Sequence, residues 1–121
     1  METTRQQKFS RLIQKELSNL FLRDGAAFYG KTFVTITQVK STPDLGLSRI
    51  HLSLLGTKEP NQVIEKMNEM AKEIRGRLGA VIKNQVRHIP ALEFFLDESM
   101  EYAENIERLL KEVKSSTGDK L

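Results

Sequence analysis

The residues best placed to do chemistry lie in the run Lys72-Glu-Ile-Arg-Gly-Arg-Leu-Gly-Ala-Val-Ile-Lys83. On a helix, Lys72, Arg75, Gly76, Gly79 and Lys83 fall at i, i+3, i+4, i+7 and i+11, opposite a stripe of Ile74, Leu78 and Val81. Cationic side chains then flank a patch of bare backbone. Phosphate binding wants that combination, because a phosphodiester needs positive charge and glycine lets it approach the main chain closely. The same pattern also fits a solvated basic helix face ending in a glycine. Arg77 and Arg87 extend the basic run, so Lys72, Arg75, Arg77, Lys83 and Arg87 are the principal candidate phosphate contacts, with Gly76 and Gly79 as candidate points of backbone approach. Lys8, Arg11 and Lys15 form a second basic line, either a secondary phosphate contact or the wet side of an amphipathic helix.

Gly76-Arg-Leu-Gly79 is also a literal GxxG between apolar residues, similar to the clamping loop of ordinary KH domains, which grip single-stranded RNA there. That leaves two arrangements open, a helix running through the glycines or a chain reversal at them. Aromatic side chains for base stacking are few; Phe33 and Phe95 are candidates on the outer sheet face, although packing beneath a loop is the simpler expectation for both.

Catalytic readings are poor. His51 reads as an exposed strand residue and His88, beside Pro90, as a loop residue or a further RNA contact. Asp97, Glu98 and Glu101 could form a carboxylate cluster, but acids at the start of a helix are already accounted for by its dipole. The absence of cysteine excludes disulfides, thiolate metal sites and cysteine nucleophiles, and two histidines are a poor metal kit. The expectation is a binding protein with no catalytic residue, metal or cofactor.

The elements that must carry these residues follow from periodicity. Phe9, Ile13, Leu17, Leu20 and Phe21 mark one buried stripe of a helix from about Thr4 to Leu22, ended by Arg23-Asp-Gly25, with loop through Gly30. Phe33 to Val39 alternates as a strand with Val34 and Ile36 inward, and Ser41-Thr-Pro-Asp-Leu-Gly46 turns into a second strand with Ile50, Leu52 and Leu54 inward. Pro60 opens a helical stretch that holds phase through Val63, Ile64, Met67, Ala71, Ile74, Leu78 and Val81. Gly76 and Gly79 weaken it, so the helix breaks nearby or something approaches its backbone. Leu92 to Leu96 alternates as a third strand, and Asp97 or Ser99 can cap a last helix burying Tyr102, Ile106, Leu109, Leu110 and Val113. The predicted class is α+β, a three-stranded sheet covered on one face by helices, in a single domain over residues 4–113 with a flexible tail over 114–121.

With 121 residues, one such domain is the expected size. Nineteen basic residues against sixteen acidic give a net charge of only +3, and the mean hydropathy is −0.40. Distribution says more than the total: Lys72 to Arg87 holds a lone acid, Glu73, whereas Glu93 to Glu107 is acidic throughout. The acidic last helix is expected to face away from any polyanion. No apolar run approaches the roughly 18 residues of a membrane span, and the N-terminus has no apolar signal-peptide core, so a cytoplasmic protein is expected.

Taken together, Arg5-Gln-Gln-Lys-Phe-Ser-Arg-Leu-Ile-Gln-Lys-Glu-Leu17, Val34-Thr-Ile-Thr-Gln-Val-Lys-Ser-Thr-Pro-Asp-Leu45, Arg49-Ile-His-Leu-Ser-Leu-Leu-Gly56, the Ile74-Arg75 and Leu78-Gly79 pairs, and Arg87-His-Ile-Pro-Ala-Leu-Glu-Phe94 with Asp97-Glu-Ser99 resemble the bacterial ribosome-binding factor A family. The resemblance spans about Arg5 to Leu110. It implies a KH-like domain of type II order, helix–strand–strand–helix–helix–strand, in which a kinked helix pair replaces the GxxG loop. It further implies a non-catalytic, monomeric factor that binds the immature small ribosomal subunit and its ribosomal RNA during late maturation, matters in the cold, and is displaced with help from assembly GTPases. The kink is expected either at Met70 to Lys72 or at Gly76 to Gly79.

Overall fold

The computed structural model describes residues 2–97. Helix α1 runs from Thr4 to Tyr29. Its start is written in Thr3-x-x-Gln6: the Thr3 hydroxyl accepts from the Gln6 N–H at 3.1 Å while the Gln6 side chain accepts from the Thr3 N–H at 2.8 Å. Those bonds satisfy amide groups that a helix start leaves unpaired. The expected stop at Gly25 does not occur. Gly25 is buried inside the helix, and a Cβ there would collide with the Tyr29 ring, which folds back along the helix so that its hydroxyl donates to the Phe21 carbonyl at 3.2 Å. Glycine serves here as space for a ring rather than as a terminator, and Phe28, which the missing last turn would have omitted, lies fully buried. The helix ends at Gly30, whose φ of 66° is a left-handed conformation that suits a residue without Cβ.

Strands β1 (Phe33–Ser41) and β2 (Leu47–Leu55) form an antiparallel hairpin. The register slips between Ile36, opposite Leu52, and Gln38, opposite His51, leaving Thr37 as a bulge. One extra residue inverts the alternation, so that Val34 and Ile36 face the core before it and Val39 and Ser41 after it. Strand β3 (Ala91–Leu96) then lies parallel to β2 on its other side, giving the order β1-β2-β3.

The crossover between β2 and β3 is a helix pair, α2 (Pro60–Glu69) and α3 (Ala71–Ile82). They break at Met70, where φ −93° and ψ 7° leave the helical range, and α3 passes unbroken through Gly76 and Gly79. Of the two expected kink positions, the first is the observed one. In α3 the core stripe is Ile74, Leu78 and Ile82; Val81, expected inward, is 41% exposed. Val81 and Ile82 flank the face of Ile74 and Leu78, at about −20° and 80° from Ile74, and the core lies on the Ile82 side, along the i+4 row Ile74, Leu78, Ile82.

Helices α1, α2 and α3 pack on one face of the sheet, α1 along β1 and α2 and α3 along β3. One continuous core results, with Ile13, Leu17, Ile50, Leu52, Ile74 and Leu78 fully buried. A chain of buried hydroxyls crosses it: Ser10 to Ser41 at 2.8 Å and Ser41 to Ser48 at 3.0 Å, while the Gln6 amide donates to the Ser41 carbonyl at 2.9 Å. Among the described residues, no buried polar side-chain atom is left without a partner. The architecture is the expected α+β, KH-like one; the acidic last helix and the tail of the sequence reading lie outside the described residues.

Candidate nucleic-acid interface

Because α3 is helical throughout, Gly76-Arg-Leu-Gly79 forms no clamping loop, and a chain reversal at those residues does not occur. The two glycines differ in their surroundings. A Cβ on Gly79 would press on the Ile89 side chain at 3.2 Å, so this glycine lets α3 lie close against the segment leading into β3. A Cβ on Gly76 would meet nothing within 4 Å. Of the two, only Gly76 presents open backbone at the surface.

The cations around them also divide. Arg75 donates from Nε to the Pro90 carbonyl at 3.1 Å and from Nη2 to the Ile89 carbonyl at 2.8 Å, holding the segment that delivers β3 to the sheet. Arg77 lies 5.0 Å over the Phe28 ring, donates to Glu73 at 2.9 Å and faces Asp24 at 3.4 Å. Two carboxylates and a ring face already compensate its charge. Lys72 on α3 and Lys83 at its C-cap are exposed, and neither makes an ion pair among the described residues.

A second group assembles from segments far apart in sequence. The first turns of α1 bring Arg5 and Lys8 to the mouth of a cavity of about 450 Å³, and the connection between α3 and β3 brings Arg87 and His88 to the same mouth. None of Arg5, Lys8 and Arg87 is paired with a carboxylate among the described residues. Of the residues expected to contact phosphate, Lys8 and Arg87 are thus brought together. Arg11 is not with them: it borders a smaller groove of about 200 Å³ beside Gln14 and Thr37 on the β1 side of α1. Lys15 stands exposed farther along the helix. Arg5 was legible as the residue one turn before Lys8; the arrival of His88 depends on the chain's return from α3.

Asp44 completes the rim. Its carboxylate accepts from the Thr42 hydroxyl at 2.6 Å and from the Gly46 N–H at 2.9 Å, and these bonds, the Thr42 one foremost, hold its pKa below the usual aspartate value. It is an acceptor at neutral pH.

On the sheet face away from the helices, Phe33 is 73% exposed rather than packed beneath a loop, and Phe95, half-buried, stacks on His51 with 5.4 Å between ring centroids. Asp97 accepts from the Thr37 hydroxyl at 2.6 Å, while Glu98 and Glu101 lie outside the described residues. Among the described residues no three His, Asp or Glu side chains stand close enough to hold a metal ion, and no helix is long and apolar enough to cross a membrane.

Comparison with known proteins agrees with this architecture. The chain is 36% identical to ribosome-binding factor A of Cytophaga hutchinsonii, covering 93% of this chain and 85% of that protein. It is 41% identical to ribosome-binding factor A of Prosthecochloris aestuarii, covering 93% and 91%. The crystal structure of ribosome-binding factor A from Thermus thermophilus superposes with a TM-score of 0.61 at 12% identity, over 75% of this chain and 94% of that one, and so shares the fold. The family profile described as Ribosome-binding factor A matches residues 5–110. With most of its length matched in sequence and its fold shared, the chain belongs to the ribosome-binding factor A family.

Proposed function

We propose that this protein is a ribosome-assembly factor that binds the immature small ribosomal subunit through its ribosomal RNA and assists late maturation. Family membership supports ribosome binding, and the observation that carries RNA as the contact is the exposed charge, unpaired among the described residues, of Lys72 on α3, Lys83 at its C-cap, and Arg5, Lys8 and Arg87 around the cavity. Those cations suit phosphates, whose contacts position a protein on RNA without reading sequence. Arg75 and Arg77 contribute by fixing the surface that presents them, and Arg11 and Lys15 add to the positive field along α1.

The mechanism is occupancy rather than catalysis. The bound protein, a cytoplasmic monomer, holds one RNA arrangement while neighbouring parts fold, and assembly GTPases then displace it. Co-sedimentation of the full chain with free small subunits, mature ribosomes and a naked short RNA, at low and moderate salt, tests this. Selective binding to free small subunits is expected. Binding to none of the three overturns the reading, and binding to the naked RNA alone points to a generic RNA-binding module.

A further inference from the structure

The cavity at the start of α1 holds more than charge. Its apolar lining, Phe9 and Leu12 of α1, Leu45 of the β1–β2 turn and Val86 after α3, is buried or half-buried and makes the floor, whereas Arg5, Lys8, Arg87 and His88 are exposed and make the rim. At about 450 Å³ it falls within the size of small-ligand sites, roughly 300–1,000 Å³.

The turn that supplies one wall is firmly held. Leu45 has φ 58°, a left-handed backbone uncommon for a residue with a side chain, and its side chain packs against the core. Three bonds fix it there: the Leu45 N–H to the Thr42 carbonyl at 2.9 Å, the Thr42 N–H to the Leu47 carbonyl at 2.9 Å, and the Ala91 N–H to the Gly46 carbonyl at 2.9 Å. A turn with Pro at its second position that closes on a left-handed residue is a common hairpin connection. Here it places Leu45 in the floor and the Asp44 carboxylate at the rim.

We infer that this cavity receives a single unstacked nucleotide of bound RNA, with its phosphate on Arg5, Lys8 and Arg87, its base against Leu12, Leu45 and Val86, and an exocyclic amino group donating to Asp44. Apolar contact with a base face and cations for the adjoining phosphate are how single-stranded RNA is held, its pairing edge being free to be read. A carboxylate repels phosphate and accepts from the amino group of cytosine, which uracil lacks, so it orients the nucleotide and favours cytidine over uridine. The inference rests on the RNA-binding reading above and names what one part of that surface selects.

The test is a methyl-detected NMR titration of the full chain with a short uridine oligonucleotide carrying one central cytidine, with the all-uridine oligonucleotide, and with cytidine monophosphate. Expected are shifts of the Leu12, Leu45 and Val86 methyls, intermolecular contacts from those methyls to the cytidine H5, and several-fold tighter binding of the cytidine-containing oligonucleotide. Asp44→Asn, whose amide offers uridine a donor as readily as it offers cytidine an acceptor, should shrink the preference, and Arg87→Ala should weaken both oligonucleotides several-fold. Shifts confined to the Lys72 and Lys83 surface, with the three methyls unmoved, would overturn the cavity assignment while leaving the RNA-binding reading intact. Cytidine monophosphate binding as tightly as the oligonucleotide would overturn RNA as the source. Failure to bind any oligonucleotide overturns the assignment too, and sedimentation with small subunits then decides whether the broader reading falls with it.

Discussion

Asn68 pairs with the backbone of Phe94 as a neighbouring strand would: its side-chain amide donates to the Phe94 carbonyl at 2.9 Å and its side-chain oxygen accepts from the Phe94 N–H at 2.8 Å. Phe94 sits on β3, at the edge of the sheet, so one side chain of α2 satisfies both of the main-chain groups of Phe94. Asn68→Ala strands them half-buried and should cost about 1–3 kcal/mol, read as a lower urea midpoint with an unchanged slope. An unchanged midpoint would mean that water replaces the amide there.

Gly76 separates stability from binding. Its open surroundings predict that Gly76→Ala raises helix stability by about 0.5–1 kcal/mol. If RNA approaches that bare backbone, the same substitution weakens binding. Gly79→Ala should not stabilise, because its new methyl presses on Ile89. Thermal unfolding and RNA titration of both variants check this, and a Gly76→Ala protein that gains stability with undiminished affinity removes Gly76 from the interface.

Arg75 and Lys72, alike in charge and three residues apart, should behave differently. Lys72→Ala is expected to leave the melting temperature unchanged and to lower the slope of log affinity against log salt by about one unit. Arg75→Ala removes two bonds to the carbonyls ahead of β3 and should cost about 1–2 kcal/mol of stability. Unfolding curves and salt-dependent binding measured side by side distinguish the roles, and a full-unit slope change with unaltered stability in Arg75→Ala would reassign it to phosphate.

Asp44 carries a pH signature. A carboxyl whose folded pKa lies below its unfolded one contributes stability that is complete above the unfolded value and is lost as the pH falls through the folded value. Its NMR titration midpoint should therefore lie on the acidic side of ordinary aspartate. Thr42→Val, which removes the largest cause, should move it back up. A midpoint unaffected by Thr42→Val would show that backbone N–H groups, that of Gly46 foremost, set it.

Much of this was legible in the residues. The stripes of α1 and the alternation of β1 and β2 report which face each element buries, and Thr3-x-x-Gln6 gives the start of α1. What escaped depends on partners that only the fold supplies. Gly25 reads as a stop because the Tyr29 ring that needs its space is visible only once the helix exists. The Thr37 bulge changes the phase of β1 with no turn residue to announce it. Arg77 looks like a free cation until α1 brings Asp24 and Phe28 to it, and the cavity cannot be read locally because its walls come from three separate segments. Charge is written in the sequence; whether that charge is already compensated is a tertiary fact.

The mixed sheet also sets an order of events in time. The hairpin of β1 and β2 closes over a turn of a few residues, whereas β3 reaches β2 only after the whole α2–α3 crossover has been laid down. Short loops close faster, and a parallel pairing must wait for its connection, so β3 is expected to join the sheet after the hairpin has formed. Hydrogen exchange should therefore be slowest in β2, bonded on both sides, with β3 and the cavity wall before it opening by smaller fluctuations. Of the three strands, β3 and the segment before it, which carries Arg87 and His88 to the cavity, are then expected to open more often than the hairpin.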